Sequence, residues 1–345
     1  MASILIDIGH PAHVHLFRNA AKIWQEMGHR VHFSALDREM ILELLERYGF
    51  PYDVTYRRTA DRRGLLYEIP PRTWRTLRIA RQVKADLLVS MANPTVGFPA
   101  WLLRKPYLAF HDTEPAYNQL AAALPFTTMV ATPEVYYREV GAKQVRYKGY
   151  HELAYLHPKT FTPDESVLAE IGLAPGERYF IVRFVAWQAT HDVHEHGLTL
   201  EDKRAILNLL EQHGRVILST EGEVPAEFAH HITDFPQERM HDLLAFAQLY
   251  IGEGNTVAAE AAELGTPSIR ANTMDLGYCR DLQRRGLMFQ LLDGQAILSK
   301  INELLSMPGR ADTFRQRRAT MLAETTPTTD SIVEFGLRLL EQSNA

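Results

Sequence analysis

Four short polar stretches in this chain hold residues suited to chemistry, each directly after an apolar run. The first, Gly9-His10-Pro11-Ala12-His13-Val14-His15, sets three histidines within six residues at the start of a helical pattern. Imidazoles titrate near neutral pH, so His10, His13 and His15 suit a base with neighbouring donors facing a substrate, or a metal site. No carboxylate or cysteine completes a ligand set in the stretch, and capping or packing is the plain alternative. The second, Phe110-His111-Asp112-Thr113-Glu114-Pro115, offers carboxylates that burial can tune toward neutral pH for acid or base work. Asp112 or Thr113 capping a helix, with Glu114 in its first turn, explains the same residues structurally.

The third stretch begins at Arg183, a cation costly inside an apolar strand unless it meets a carboxylate or a phosphate. It runs through Trp187 to His191, His194 and His196, a spacing that suggests a metal cluster and equally fits a polar lip of a cleft. The fourth is Tyr250–Pro267, YIGEGNTVAAEAAELGTP. Tyr250-Ile251-Gly252 ends a strand, Glu253-Gly254-Asn255-Thr256 turns, and an Ala-rich helix follows until Gly265 and Pro267 stop it. The free N–H groups at such a helix start stabilise an anion by roughly 0.3–1 kcal/mol when exposed, and small residues let a phosphate approach. Glu260, one turn further on, is placed to accept hydrogen bonds from ribose hydroxyls.

The elements that must position these stretches are short apolar runs alternating with helical patterns, as in parallel α/β sheets. One series of strands is expected at 4–8, 31–35, 52–55, 87–90, 107–111 and 128–131, and a second at 179–184, 216–219, 249–252, 268–270 and 288–291. Ligands of open parallel sheets bind beyond the carboxyl ends of the strands, which is where all four stretches fall. The first lacks G-x-G-x-x-G, having one glycine, which argues against a dinucleotide cofactor; Asp37, after the second strand, carries little weight without those glycines. The boundary is expected near residue 155, giving domains 1–155 and 156–325, with 326–345 a terminal helix that packs back on the first domain.

The chain has 345 residues, more than one hydrophobic core usually serves. Its 46% hydrophobic and 23% charged residues are ordinary for a globular protein. A net charge of −5 supplies no global field for long nucleic acid. The single cysteine, Cys279, excludes an intrachain disulfide and any multi-cysteine metal site. The opening MASILIDIGH lacks a basic start before an apolar stretch, and no apolar run reaches the roughly 18 residues that span a bilayer, so a cytoplasmic protein is expected. Arg57, Arg58, Arg62 and Arg63, with Arg72, Arg75, Arg78 and Arg81 beside Trp74, form a surface for an anionic acceptor or lipid headgroups; a solvated helix face is the commoner use.

The segment EGNTVAAEAAELGTPSI resembles the donor-binding segment of GT-B enzymes, notably the bacterial UDP-N-acetylglucosamine 2-epimerase and the N-acetylglucosaminyltransferase that makes lipid II. The resemblance puts Gly254, Asn255 and Thr256 on the turn that holds the diphosphate, Glu260 on the acid that grips ribose, and His13 on the histidine of that transferase's glycine-rich loop. DIGHPAHVHLF, HDTE, KGYHELAYLHP and the Arg183/His191-Asp192 region together look like a prokaryotic family of unknown function assigned the same fold. What it implies is two Rossmann-like parallel-sheet domains facing a cleft, with a nucleotide-diphosphate sugar as substrate and no cofactor or metal. His13, Asp112 or Glu114 would be the base toward an unknown hydroxyl acceptor, lipid-linked or anionic. His10, His15, His111, Arg183, Trp187, His191, Glu253, Gly254, Asn255, Thr256 and Glu260 would contact substrate. Epimerisation fits less well: Met91-Ala92-Asn93-Pro94-Thr95 stands where the epimerase has a carboxylate, and His111 and Glu114 only roughly reproduce its His–Glu pair.

Overall fold

The structure, a computed structural model, describes every residue except 39, 58–64, 175, 185–197, 221–223 and 345. It divides into two compact units: 1–160 with 276–278 and 325–345, and 161–275 with 279–324.

Unit 1 is built on a seven-stranded sheet: β1 (Ser3–Ile8), β2 (Arg30–Asp37), β3 (Tyr52–Arg57), β4 (Leu87–Met91), β5 (Tyr107–Phe110), β6 (Met129–Pro133) and β7 (Gln144–Tyr147). All are parallel, in the order β3-β2-β1-β4-β5-β6-β7. β1 lies inside the sheet and Ile4, Leu5, Ile6 and Ile8 are fully buried, as expected of a strand covered on both faces. The order reverses between β1 and β4, so the loops leaving β1 and β4 part there, the usual ligand position in such sheets.

Two strand expectations change. β7 was not expected; its Gln-Val-Arg-Tyr sequence is half polar because it is a short edge strand with only one neighbour. His111 lies just past β5 rather than inside it, although its N–H still bonds Ala131 O at 3.0 Å.

The terminal helix Thr328–Asn344 packs on the Pro11–Glu26 helix at Gly336, where a Cβ would lie 2.5 Å from the buried Trp24 ring. Its first turn also fixes the segment after β7: Thr328 Oγ1 donates to Tyr150 O (2.5 Å) and Thr329 Oγ1 to Ala154 O (2.6 Å). The end of the chain thereby holds the backbone on either side of His151.

Unit 2 has a five-stranded parallel sheet of β8 (Tyr179–Phe184), β9 (Arg215–Thr220), β10 (Tyr250–Gly252), β11 (Ser268–Arg270) and β12 (Met288–Gln290), ordered β12-β11-β10-β8-β9. Among the described residues no helix is long and apolar enough to cross a membrane.

Candidate functional site

In unit 1 the loops after β1, β5 and β7 bring histidines to one carboxylate. Asp112 Oδ2 lies 2.9 Å from His151 Nδ1, and Asp112 Oδ1 accepts the Thr113 hydroxyl at 2.9 Å. Burial pushes the Asp112 carboxyl up, but His151, by its charge and its hydrogen bond, together with His111 and Thr113, brings it to about 2. An ionised Asp112 thus receives the Nδ1 proton of His151, which leaves the lone pair on Nε2. That nitrogen is buried and has no hydrogen-bond partner among the described residues. A carboxylate orienting an imidazole whose other nitrogen has no protein partner is the arrangement of a general base.

His13 has the opposite polarity. Its Nδ1 accepts the Gly9 N–H at 3.3 Å, so a neutral ring carries its proton on Nε2. Desolvation, with His10 and His151 adding, lowers His13 to about 3 against the pull of Asp112, so the ring is neutral at physiological pH. It presents a donor rather than a base.

Beneath this loop Arg72 Nη2 bonds Asp7 Oδ2 at 2.7 Å, both groups buried, and Ser34 Oγ donates to Asp7 Oδ1 at 2.8 Å. Arg72 therefore leaves the arginine stripe expected on its helix, whereas Trp74, Arg75, Arg78 and Arg81 are exposed; Arg58, Arg62 and Arg63 fall outside the described residues.

His111, lowered to about 4 by desolvation, packs edge-on against Tyr136 at 5.5 Å. Glu114 is fully buried, and its Oε1 accepts backbone N–H groups of Tyr137 (3.2 Å) and Gly277 (3.1 Å). Burial raises its carboxyl, partly offset by those bonds. His10 caps the Pro11–Glu26 helix, its Nδ1 accepting from Ala12 N at 3.2 Å. His15 stands apart from this group, on the other side of its helix between Tyr155 (5.4 Å) and Tyr48 (6.2 Å).

In unit 2 the sheet register sets two arginines on either side of a glycine: Arg183 in β8 and Arg270 in β11 both pair with Gly252 in β10. A Cβ on Gly252 would lie 2.2 Å from Tyr250 Oη and 3.0 Å from Arg183 O, so no larger residue fits between them. The helix Asn255–Leu264 begins three residues later with extended Gly254 as its cap and no side-chain cap hydrogen bond. Gly265, at φ 89°, ends it in the left-handed conformation.

Arg270 is fully buried; it donates to Asn255 Oδ1 and, from Nη2, to Met274 O at 2.7 Å. No carboxylate among the described residues pairs with it. A buried cation without a counter-charge is destabilising by several kcal/mol, so an anion at the adjacent helix start would complete this site. Arg183 Nη1 donates to Ser219 Oγ at 2.6 Å.

The two expected carboxylates of this turn and helix have structural partners. Glu253 is gripped by the buried Lys203 (3.0 Å) and accepts Leu198 N–H at 3.3 Å. Glu260 is buried with its Oε1 3.1 Å from His241 Nε2. Thr256 stands in the first turn of its helix, half-buried. Trp187 and His191, with the rest of that histidine stretch, lie outside the described residues.

Two residues were missed by the sequence reading. His151 sits in the KGYHELAYLHP stretch, close to the boundary expected near residue 155, and was given no role of its own. Arg270 closes an apolar strand, the same signal that marked Arg183.

A family profile described as "Protein of unknown function (DUF354)" matches residues 2–318. No curated protein matches the sequence. Among solved structures, the UDP-GlcNAc 2-epimerase from Neisseria meningitidis bound to UDP-GlcNAc aligns with a TM-score of 0.71 at 12% identity, covering 97% of this chain and 100% of that one. The glycosyltransferase VinC in complex with DTDP aligns at 0.67 and 12% identity, covering 99% and 100%. The spinosyn rhamnosyltransferase SpnG aligns at 0.63 and 14% identity, covering 99% and 100%. At these identities the likeness is one of fold: two parallel-sheet α/β domains of the GT-B type.

Proposed function

The chain belongs to the DUF354 family, of unknown function, and from that premise we propose that it is a GT-B glycosyltransferase using a nucleotide-diphosphate sugar without a metal. The observation that carries this reading is the buried Arg270, paired with no carboxylate among the described residues, beside the start of the Asn255–Leu264 helix, which has no side-chain cap. A diphosphate supplies the missing negative charge, and the same donors stabilise it as a leaving group. Structural relatives whose descriptions name UDP-GlcNAc, DTDP or thymidine diphosphate agree with that ligand class. Glu260, oriented by His241, would meet the ribose.

In unit 1 the Asp112–His151 pair takes the role of base: His151 Nε2 accepts the proton of an acceptor hydroxyl, and Asp112 stabilises the imidazolium that results. His13, neutral, donates from Nε2 to a substrate oxygen. The base assigned at first to His13, Asp112 or Glu114 is thus moved to His151, with Asp112 behind it. Glu114, its Oε1 spent on two backbone N–H groups, positions its loop.

The test is a thermal-shift screen of nucleoside mono- and diphosphates and nucleotide sugars against the full chain. A ligand bound only by the native state raises Tm, and nucleoside diphosphates should raise it more than monophosphates. If no nucleotide shifts it, the donor-site reading fails. NMR of the bound sugar nucleotide without acceptor then separates the chemistries, because an epimerase alters the sugar by itself and a transferase leaves it intact apart from slow hydrolysis.

A further inference from the structure

At the opposite edge of the unit 2 sheet, where its strands begin, two adjacent histidines and one glutamate converge. Glu211 ends the helix Leu200–Glu211, which returns from the carboxyl edge of the sheet to the start of β9. His230 and His231 end the 3-10 helix Ala226–His231, after which Ile232 bridges Leu218 of β9. Both imidazoles turn Nε2 toward the same carboxylate oxygen: Glu211 Oε1 lies 3.1 Å from His230 Nε2 and 3.3 Å from His231 Nε2. The two rings are 4.0 Å apart, and the three ligand atoms all lie within 4.8 Å of one another.

We propose that Glu211, His230 and His231 bind a divalent transition-metal ion of the zinc type, away from the nucleotide site. Zinc binds imidazole nitrogen and carboxylate oxygen at about 2.0–2.2 Å, so neighbouring ligands in its tetrahedral shell stand about 3.3–3.5 Å apart. The two nitrogen–oxygen separations are close to that edge without any rearrangement. Two nitrogens and one oxygen form a donor set that suits zinc, copper or nickel and not magnesium or calcium, which take oxygen ligands.

The set is also held in advance. Arg204, two turns before Glu211 on the same helix, makes a paired contact with Glu227 (2.8 and 3.2 Å), and Phe228 is buried beneath. Of the ligands, His231 is buried while His230 and Glu211 are exposed, so an ion has access from solvent. With three protein ligands the fourth position is left for water. The ion would cross-link the Leu200–Glu211 helix to the 3-10 turn.

The experiment is calorimetric titration of zinc chloride into the untagged full chain after chelator treatment, for wild type, His230→Ala and Glu211→Gln. These two variants alter exposed side chains and should fold. Wild type is expected to bind one ion that each variant weakens by more than the roughly 10–100-fold that loss of an outer-shell partner costs. Bound zinc should raise the Tm of wild type and not of the variants. The proposal is overturned if wild type takes up no zinc, or if both variants retain its stoichiometry and affinity. Either outcome leaves the nucleotide-site reading to its own ligand screen.

Discussion

The polar groups of unit 1 and the anion turn of unit 2 use opposite electrostatic materials. Around Asp112 the groups are ionisable and buried: desolvation lowers His13 and His111, and neighbouring imidazoles bring the Asp112 carboxyl down against its own burial. Around Gly252 stand two arginines in register and the N–H groups of a helix start; a guanidinium and a backbone dipole are fixed features that exchange no proton in ordinary work. A site that moves protons needs groups poised to change charge, and one that holds a diphosphate is better served by charges that cannot. Chemistry in unit 1 and binding in unit 2 should therefore separate cleanly under mutation.

The largest effect expected is on turnover. His151→Gln or Asp112→Asn should lower the rate of nucleoside diphosphate release with acceptor by about 10²–10⁴-fold, the usual contribution of a positioned base. The affinity for the nucleotide, measured by calorimetry, should not change. Equal losses in affinity and turnover would dissolve the contrast between the units.

How far this contrast could be read in the sequence differs between its two sides. The sheets were legible because buried parallel strands are continuous apolar runs, and the fourth stretch because Gly-rich turn and Ala-rich helix are local signals. Asp112 and His13 were legible by the same logic, as polar residues directly after strands. The partner of Asp112 was not: His151 reaches it only because β7 exists and because Thr328 and Thr329 fix the segment after it. An edge strand as polar as Gln144–Tyr147 gives no period to detect. The tautomer of His13 was equally hidden, since it depends on one backbone N–H, that of Gly9. Glu253 shows the converse case, a residue in the right turn whose carboxylate is taken by Lys203.

A middle-sized effect belongs to Arg270. Arg270→Met removes a buried cation that no carboxylate among the described residues neutralises, so the ligand-free chain should keep its Tm or gain, as replacing buried charges by apolar groups often does. Nucleoside diphosphate affinity should fall roughly 10–100-fold, the loss of about 1.5–3 kcal/mol of charge-assisted hydrogen bonding. A variant that loses stability and affinity together would mark Arg270 as a support for Asn255 instead.

The effect that tests the titrating side alone is the acid sensitivity of the fold. His111 is held at about 4 and His13 at about 3, against an ordinary 6.5, because burial disfavours their charged forms. As pH falls below about 6.5 the unfolded chain takes up these protons while the folded one does not, so stability drops until the folded values are reached. Each fully shifted group contributes at most about 1.4 kcal/mol per pH unit in that window. Thermal unfolding at about pH 7 and about pH 5 should show a lower Tm in acid, and His111→Leu should narrow the difference without removing it, since His13 remains. Affinity for a nucleotide sugar, whose diphosphate does not ionise in this range, should be flatter, because a guanidinium keeps its charge there; a parallel decline in both would mean that the two units titrate as one.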